Sequence, residues 1–295
     1  ADLLPLYKRI VGKAFDRIPK GRIDKGKDIY RFTDLMKKRT DQLPAPTDEG
    51  RLLEILYTGG TTKNPKGVPI SHALFLESVK AQLDVSTPLI PPPDNGVIQG
   101  GPLFHILGQV FGLGPLCISG DCVIIMPKVS IDAFLYYVQI YRAKTFFGVP
   151  ALYRMILEHD RLDLYDISSL AYCFSGGDVL PQETARRWKE KFGKKIYEGY
   201  GATETCGGVT MPTVMEEIPP GSIGKALSIK KVKIVDEATL QDVPVGEAGE
   251  LLVSSDHMVD AYWNKEEETK EAFVEIEGRK WYRTGDVLKK DEKDF

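Results

Sequence analysis

Between residues 52 and 199, short apolar runs alternate with stretches of helical length, and few folds accept that rhythm. The runs at 52–57, 121–126, 145–149, 170–175 and 196–199 are four to six residues long, the length of buried strands. Between them lie amphipathic segments with helix-start signals. Ser71 is placed as the N-cap of a helix over 71–83, and a second helix covers 132–141. Pro150 suits the first turn of a third, where its missing N–H costs least. Pro181 opens a fourth, with Glu183 in its first turn. Strand and helix in alternation predict an α/β fold of layered sheets flanked by helices. After Gly221 the texture changes to short β-rich runs such as 231–235 and 249–253, broken by turns of Gly, Pro and Asp. The expected organisation is an entry segment over 1–50, an α/β region over 51–220 and a smaller β-rich subdomain over 221–295. The entry segment carries one amphipathic stretch at 29–36.

Composition narrows the functional classes. A net charge of -3 offers no general attraction for nucleic acid or an anionic membrane. The densest charge block, Lys265-Glu-Glu-Glu-Thr-Lys-Glu271, reads as a solvated helix face. Cys117, Cys122, Cys173 and Cys206 form no C-x-x-C pair, which predicts reduced thiols and a cytoplasmic protein. The most apolar region, 102–127, holds His105, Gln109, Asp121 and Pro115, residues that a membrane span would resist. A buried helix leading into a buried strand is expected there instead. Membrane contact would then be peripheral, as in collecting a lipid substrate. The N-terminus lacks the basic start and apolar stretch of a signal peptide.

Four segments point to chemistry. In Tyr57-Thr-Gly-Gly-Thr-Thr-Lys-Asn-Pro-Lys-Gly67, Gly59 and Gly60 permit unusual backbone angles. Successive N–H groups, with the hydroxyls of Thr58, Thr61 and Thr62, can then surround phosphate oxygens, and Lys66 adds a mobile cation. No Gly-Lys-Ser/Thr closes the loop, so it is not a Walker A motif. In Glu198-Gly-Tyr-Gly-Ala-Thr-Glu-Thr205, after a strand, Glu204 can hold Mg²⁺ through an oxygen and Thr203 can hydrogen-bond a phosphate. Gly199 and Gly201 let a flat base or an acyl chain lie against the backbone. Ser175-Gly-Gly-Asp-Val-Leu-Pro181 is another loop after a strand, the location where α/β ligands bind. In Tyr282-Arg-Thr-Gly-Asp286, a carboxylate on a tight turn suits two ribose hydroxyls. Taken singly, each segment is also compatible with a plain loop or turn.

In this order and spacing the four segments resemble the adenylate-forming superfamily of acyl-CoA synthetases, firefly-type luciferases and peptide-synthetase adenylation domains. The resemblance runs from about Arg51 to the end and implies the large N-terminal domain of that fold. It implies that residues 58–67 close over the phosphates of ATP. It implies that Gly176, Gly177, Asp178, Tyr200 and Gly201 frame the adenine, beside Glu198 and Gly199. Glu204 would be the magnesium residue and Asp286 the ribose residue, with Lys66, Thr203 and Glu204 acting in catalysis. Pro102-Leu-Phe-His105 resembles the segment that begins the acyl-pocket wall, so His105 is either a pocket residue or a satisfied core histidine. For His72 the structural reading is preferred, and Gly249-Glu-Leu and Tyr262-Trp263 read as scaffold.

The sequence departs from the family pattern at Lys63, where a Gly is usual, and at Ala261. Gly59 stands where Ser is common, a form associated with fatty acyl-CoA synthetases. The opening Asp2-Leu-Leu-Pro5 segment points the same way. The resemblance therefore implies activation of a medium- or long-chain fatty acid by ATP, with Mg²⁺, to an acyl-adenylate and then, with coenzyme A, to acyl-CoA. Other carboxylic acids, as in an aryl-CoA ligase, and a non-catalytic nucleotide-binding module stay open. The family's C-terminal domain, with its hinge and its adenylation lysine, has no counterpart here. The end at Phe295 looks like a hairpin stopped midway, so the chain reads as a fragment that binds nucleotide and turns over poorly.

Overall fold

The computed structural model describes residues 50–58, 64–86, 94–126, 130–214 and 216–295. The expectations for 1–49 lie outside these residues. Its centre is a five-stranded parallel sheet built from β3 (Gly96–Gln99), β4 (Cys122–Ile124), β5 (Thr145–Gly148), β6 (Tyr172–Ser175) and β7 (Ile196–Glu198), in the order β4-β3-β5-β6-β7. Successive strand residues face opposite sides, and both sides are covered. Ile98, Phe146 and Cys173 join one core cluster; Val97, Phe147 and Phe174 join the other. That two-sided burial is why the strands read as continuous apolar runs rather than as alternation.

One face is covered by α3 (Ile131–Tyr141), α4 (Pro150–Leu157) and α5 (Gln182–Phe192), through Leu135, Val138, Tyr153, Ile156 and the fully buried Trp188. The opposite face receives α1 (His72–Ser86) and a broken helical segment. Ser71 caps α1 as expected, its Oγ accepting from the Leu74 N–H at 3.2 Å. Pro150 stands in the first turn of α4, Pro181 is the N-cap of α5, and Glu183 lies in its first turn.

Two expectations need correction. The run at 102–127 does not form one buried helix. It forms a single α-turn, α2 (Ile106–Gly108), followed by π-helical turns over Gln109–Leu113 and Pro115–Ser119. Gly108, Gly112, Gly114 and Pro115 weaken the regular ladder, and Leu113, Leu116 and Ile118 remain exposed. The strand after it is shorter than expected and half-covered, because among the described residues β4 is an edge strand paired only with β3. Strand β3 itself was not anticipated. It spans four residues, and the buried Asn95, held by Asp121 and Thr145, precedes it.

Three antiparallel units complete the fold. A hairpin pairs β1 (Leu52–Thr58) with β2 (Lys66–Ser71). A small sheet joins β8 (Tyr200–Ala202), β9 (Gly207–Met211) and β10 (Lys225–Ala226). A four-stranded sheet orders β11 (Lys231–Val235), β12 (Ala248–Ser254), β14 (Arg279–Lys289) and β13 (Phe273–Ile276). The charged helix α6 (Glu266–Ala272) buries none of its residues, as its composition predicts. Among the described residues no helix is long and apolar enough to cross a membrane.

Candidate active site

Parallel strands β5, β6 and β7 all end at one edge, and a cavity of about 170 Å³ opens there. Its walls come from the strand ends and the residues that follow them: Gly148 at the end of β5, Gly176 and Gly177 after β6, and Gly199, β8 and Thr203 after β7. Phe111, Phe147 and Phe174 form an apolar wall, stacked with ring centroids 3.8 and 4.7 Å apart. The Ser175 hydroxyl, also on the wall, is buried with no hydrogen-bond partner among the described residues.

Seven of the expected residues line this cavity: His105, Gly176, Gly177, Gly199, Tyr200, Gly201 and Thr203. His105 is exposed, not a core histidine. It is the N-cap of α2, with Nδ1 accepting from the Leu107 N–H at 3.2 Å. Gly201 is required for a reason other than ligand contact. A Cβ there would lie 2.2 Å from the Gly207 carbonyl, so β8 and β9 touch only because the side chain is missing.

Asp178 and Glu198 stand apart from the cavity wall. Asp178 Oδ1 accepts from the N–H of Val179, and Glu198 Oε1 accepts from that of Leu180 at 2.7 Å. Burial raises the pKa of Glu198. Both carboxylates thus brace the loop after β6. Gly59, Gly60, Thr61, Thr62 and Lys63 lie outside the described residues. Thr58 and Lys66 pair across the hairpin at the two ends of that loop.

Beside the cavity, the remaining candidates form one contiguous array. Lys66 Nζ sits 4.5 Å from the centre of the Tyr262 ring, a cation–π distance. The Tyr262 hydroxyl donates to Glu204 Oε1 at 2.7 Å. Tyr282 contacts both Glu204 and Tyr262 and feels the charge of Asp286. The Tyr200 hydroxyl, on the cavity wall, donates to Asp286 Oδ2 at 2.5 Å. Burial first, and then the adjacent carboxylates, push the pKa values of Tyr200 and Tyr262 well up, so both phenols remain donors. Lys66, Glu204 and Asp286 are thus linked through Tyr262, Tyr282 and Tyr200, and none of the three lines the cavity itself.

The tight turn expected to carry Asp286 is not a free-standing one. It lies within β14, where the register slips: Glu250 faces Val287, yet Leu252 faces Arg283. Thr284, Gly285 and Asp286 form the bulge. The buried Glu250 anchors it, accepting from Arg283 Nε and Nη2 and from the Gly285 N–H at 3.2 Å. Replacing Glu250 by Ala is expected to cost about 2–3 kcal/mol in urea denaturation, less than for a fully buried pair because Arg283 is 27% exposed. Reading Glu250 as scaffold did not reveal this link to Asp286.

Glu204 is 6% exposed. Among the described residues no group of three or more His, Cys, Asp or Glu could hold a metal ion by itself. A single carboxylate would still suit Mg²⁺, whose other ligands would come from water and phosphate oxygens.

Residues 12–263 match the AMP-binding enzyme family. This chain belongs to that family. The long-chain-fatty-acid–CoA ligase of Bacillus subtilis is 31% identical over 304 aligned positions, covering 100% of this chain and 52% of the relative. 4-Coumarate–CoA ligase 2 of Petroselinum crispum is 31% identical, covering 90% and 49%. The crystal structure of ATP-bound MatB from Rhodopseudomonas palustris superposes with a TM-score of 0.76 at 28% identity, covering 84% of this chain and 48% of MatB. The chain thus spans about half the length of the AMP-binding relatives it matches. Its α/β fold is that of adenylate-forming CoA ligases. Members of the family acting on fatty and on aryl acids match it at similar identity.

Proposed function

We propose that this chain supplies the nucleotide- and acyl-binding part of an ATP-dependent, AMP-forming carboxylic acid–CoA ligase. The observation that carries the reading is the contiguous array of Lys66, Tyr262, Glu204, Tyr282, Asp286 and Tyr200 beside a cavity at the carboxyl ends of the strands. Adenine takes the Gly176–Gly177 and Tyr200 side. Asp286 accepts from the ribose hydroxyls. Thr203, Lys66 and the 58–67 loop hold the phosphates.

A carboxylate oxygen attacks the α-phosphorus in line, the bond to the β-phosphate bridging oxygen breaks, and pyrophosphate leaves. The coenzyme A thiol then attacks the acyl carbon, and AMP leaves as the thioester forms. The first step demands positioning and charge neutralisation rather than a protein nucleophile. Mg²⁺, when bound at Glu204, supplies further neutralisation of the phosphate charge. Phe111, Phe147, Phe174 and Met211 offer the acyl group an apolar wall, with His105 at its start. A medium- or long-chain fatty acid is the favoured substrate, supported by the apolar wall and the Gly-Gly-Thr-Thr loop. The stacked rings also favour an aryl acid. The four free cysteines suit a cytoplasmic setting.

Calorimetric titration of the 295-residue chain with ATP tests the reading. Binding is expected, and Asp286→Ala is expected to weaken it about 10-fold or more by removing charged hydrogen bonds to the ribose. No detectable ATP binding would overturn the proposal. A panel of fatty and aryl acids in a thermal-shift assay with ATP separates the substrate classes.

A further inference from the structure

Among the described buried charged groups to which the reaction outlined above gives no role, Lys230 is the cation. Lys230 is 5% exposed, between β10 and β11. Its Nζ donates to the Thr205 carbonyl at 2.8 Å. Thr205 belongs to the turn between β8 and β9 that carries Thr203 and Glu204. The front of that turn, through Ala202, Thr203, Gly207 and Gly208, faces the cavity. Its back is held by buried polar groups. Thr205 Oγ1 donates to the Gly207 carbonyl at 2.7 Å, and Gln82 Oε1 of α1 accepts from the Gly208 N–H at 2.8 Å.

Among the described residues, two groups act on the charge of Lys230, Cys206 and Glu77. Glu77 of α1 acts on it and is itself 2.9 Å from His257. The Cys206 thiol is nearby, but burial pushes its pKa to about 12, so it stays neutral; Glu54 of β1 adds to that effect. An ammonium in this setting is poorly solvated and lies immediately behind a turn that faces a polyanion site. In the intermediate dielectric of a protein, such a charge reaches several ångströms further than it would in water.

We propose that Lys230 is a positioning residue, a buried cation that ties down the Thr203–Glu204 turn from behind and adds positive potential for the phosphates of ATP. The proposal rests on reading the cavity as the nucleotide site. It makes a prediction that a purely structural pin does not: the charge matters for ATP and not for adenosine.

Burial lowers the pKa of Lys230 to about 8, so its charge is present at lower pH and lost above. Loss of that charge should weaken binding of a polyanion as pH rises.

Calorimetry with ATP and with adenosine, on wild type and Lys230→Met, tests this. The variant is expected to lose about tenfold in ATP affinity while adenosine affinity stays within about twofold, the scale of one charge acting through the protein. In the wild type, ATP affinity is expected to fall between about pH 7 and about pH 9.5, with adenosine affinity flat, as the ammonium is lost. This titration needs no variant and decides the matter if Lys230→Met does not fold. Equal losses for both ligands, or unchanged ATP affinity with a flat pH profile, overturn the role of Lys230 and leave the nucleotide site standing. A wild type that binds neither ligand removes both proposals.

Discussion

Replacing Glu204 by Ala is expected to weaken Mg·ATP binding by about 10- to 100-fold, the range of one hydrogen bond or ion contact to a charged group. The carboxylate is 6% exposed and one of its oxygens is already engaged by the Tyr262 hydroxyl. A buried anion is retained against its desolvation cost when cations or donors compensate it. Lys66 lies over the same Tyr262 ring, which places one cation on this side of the array. Calorimetry with and without magnesium reads the effect directly. The loss should appear with magnesium and shrink when the metal is chelated, and adenosine affinity should stay unchanged. Glu204→Gln separates the two duties of the residue. It keeps an acceptor for Tyr262 and so should keep stability, yet it should lose most of the magnesium-dependent gain. An equal loss with and without metal would mean that Glu204 acts only through Tyr262.

The largest effect on stability is expected at Trp188→Ala, about 3–5 kcal/mol by chemical denaturation, the range for deleting a large buried side chain. Trp188 is fully buried on α5. Its ring meets Tyr153 edge-on at 4.9 Å and Phe192 at 4.6 Å, so truncation leaves a void bounded by rings held on two helices. Trp188→Phe keeps most of those contacts and should cost much less. Trp188 belongs to the core on the sheet face away from Phe111, Phe147 and Phe174. The surviving folded Trp188→Ala protein should therefore keep its ATP affinity. A loss of affinity in folded variant protein would show that the two sheet faces are coupled.

How much of this was legible in advance depended on the range of the interactions involved. The helix starts at Ser71, Pro150 and Pro181 were readable because capping and proline geometry act within one turn. The broken segment after His105 was misread as one helix because its apolar content is helical, while its glycines and Pro115 change the hydrogen-bond ladder. Strand β3 was missed because four residues beside Asn95 form a strand only when β4 and β5 pair with them.

For the site, the sequence by itself determined which turns follow strands and which polar residues those turns carry. Gly199, Thr203 and Glu204 were named from that alone, since a glycine, a hydroxyl or a carboxylate declares its chemistry locally, whereas Gly176 was named through the family resemblance. Only the tertiary structure decided which of them meet. It set Tyr262 against Glu204 across 58 positions and Tyr200 against Asp286 across 86. It turned the presumed Asp286 turn into a bulge pinned by Glu250, moved Asp178 and Glu198 to bracing duty, and buried Lys230 behind the Glu204 turn. Burial and long-range hydrogen bonding set those roles, and both depend on distances that no local pattern of residues encodes.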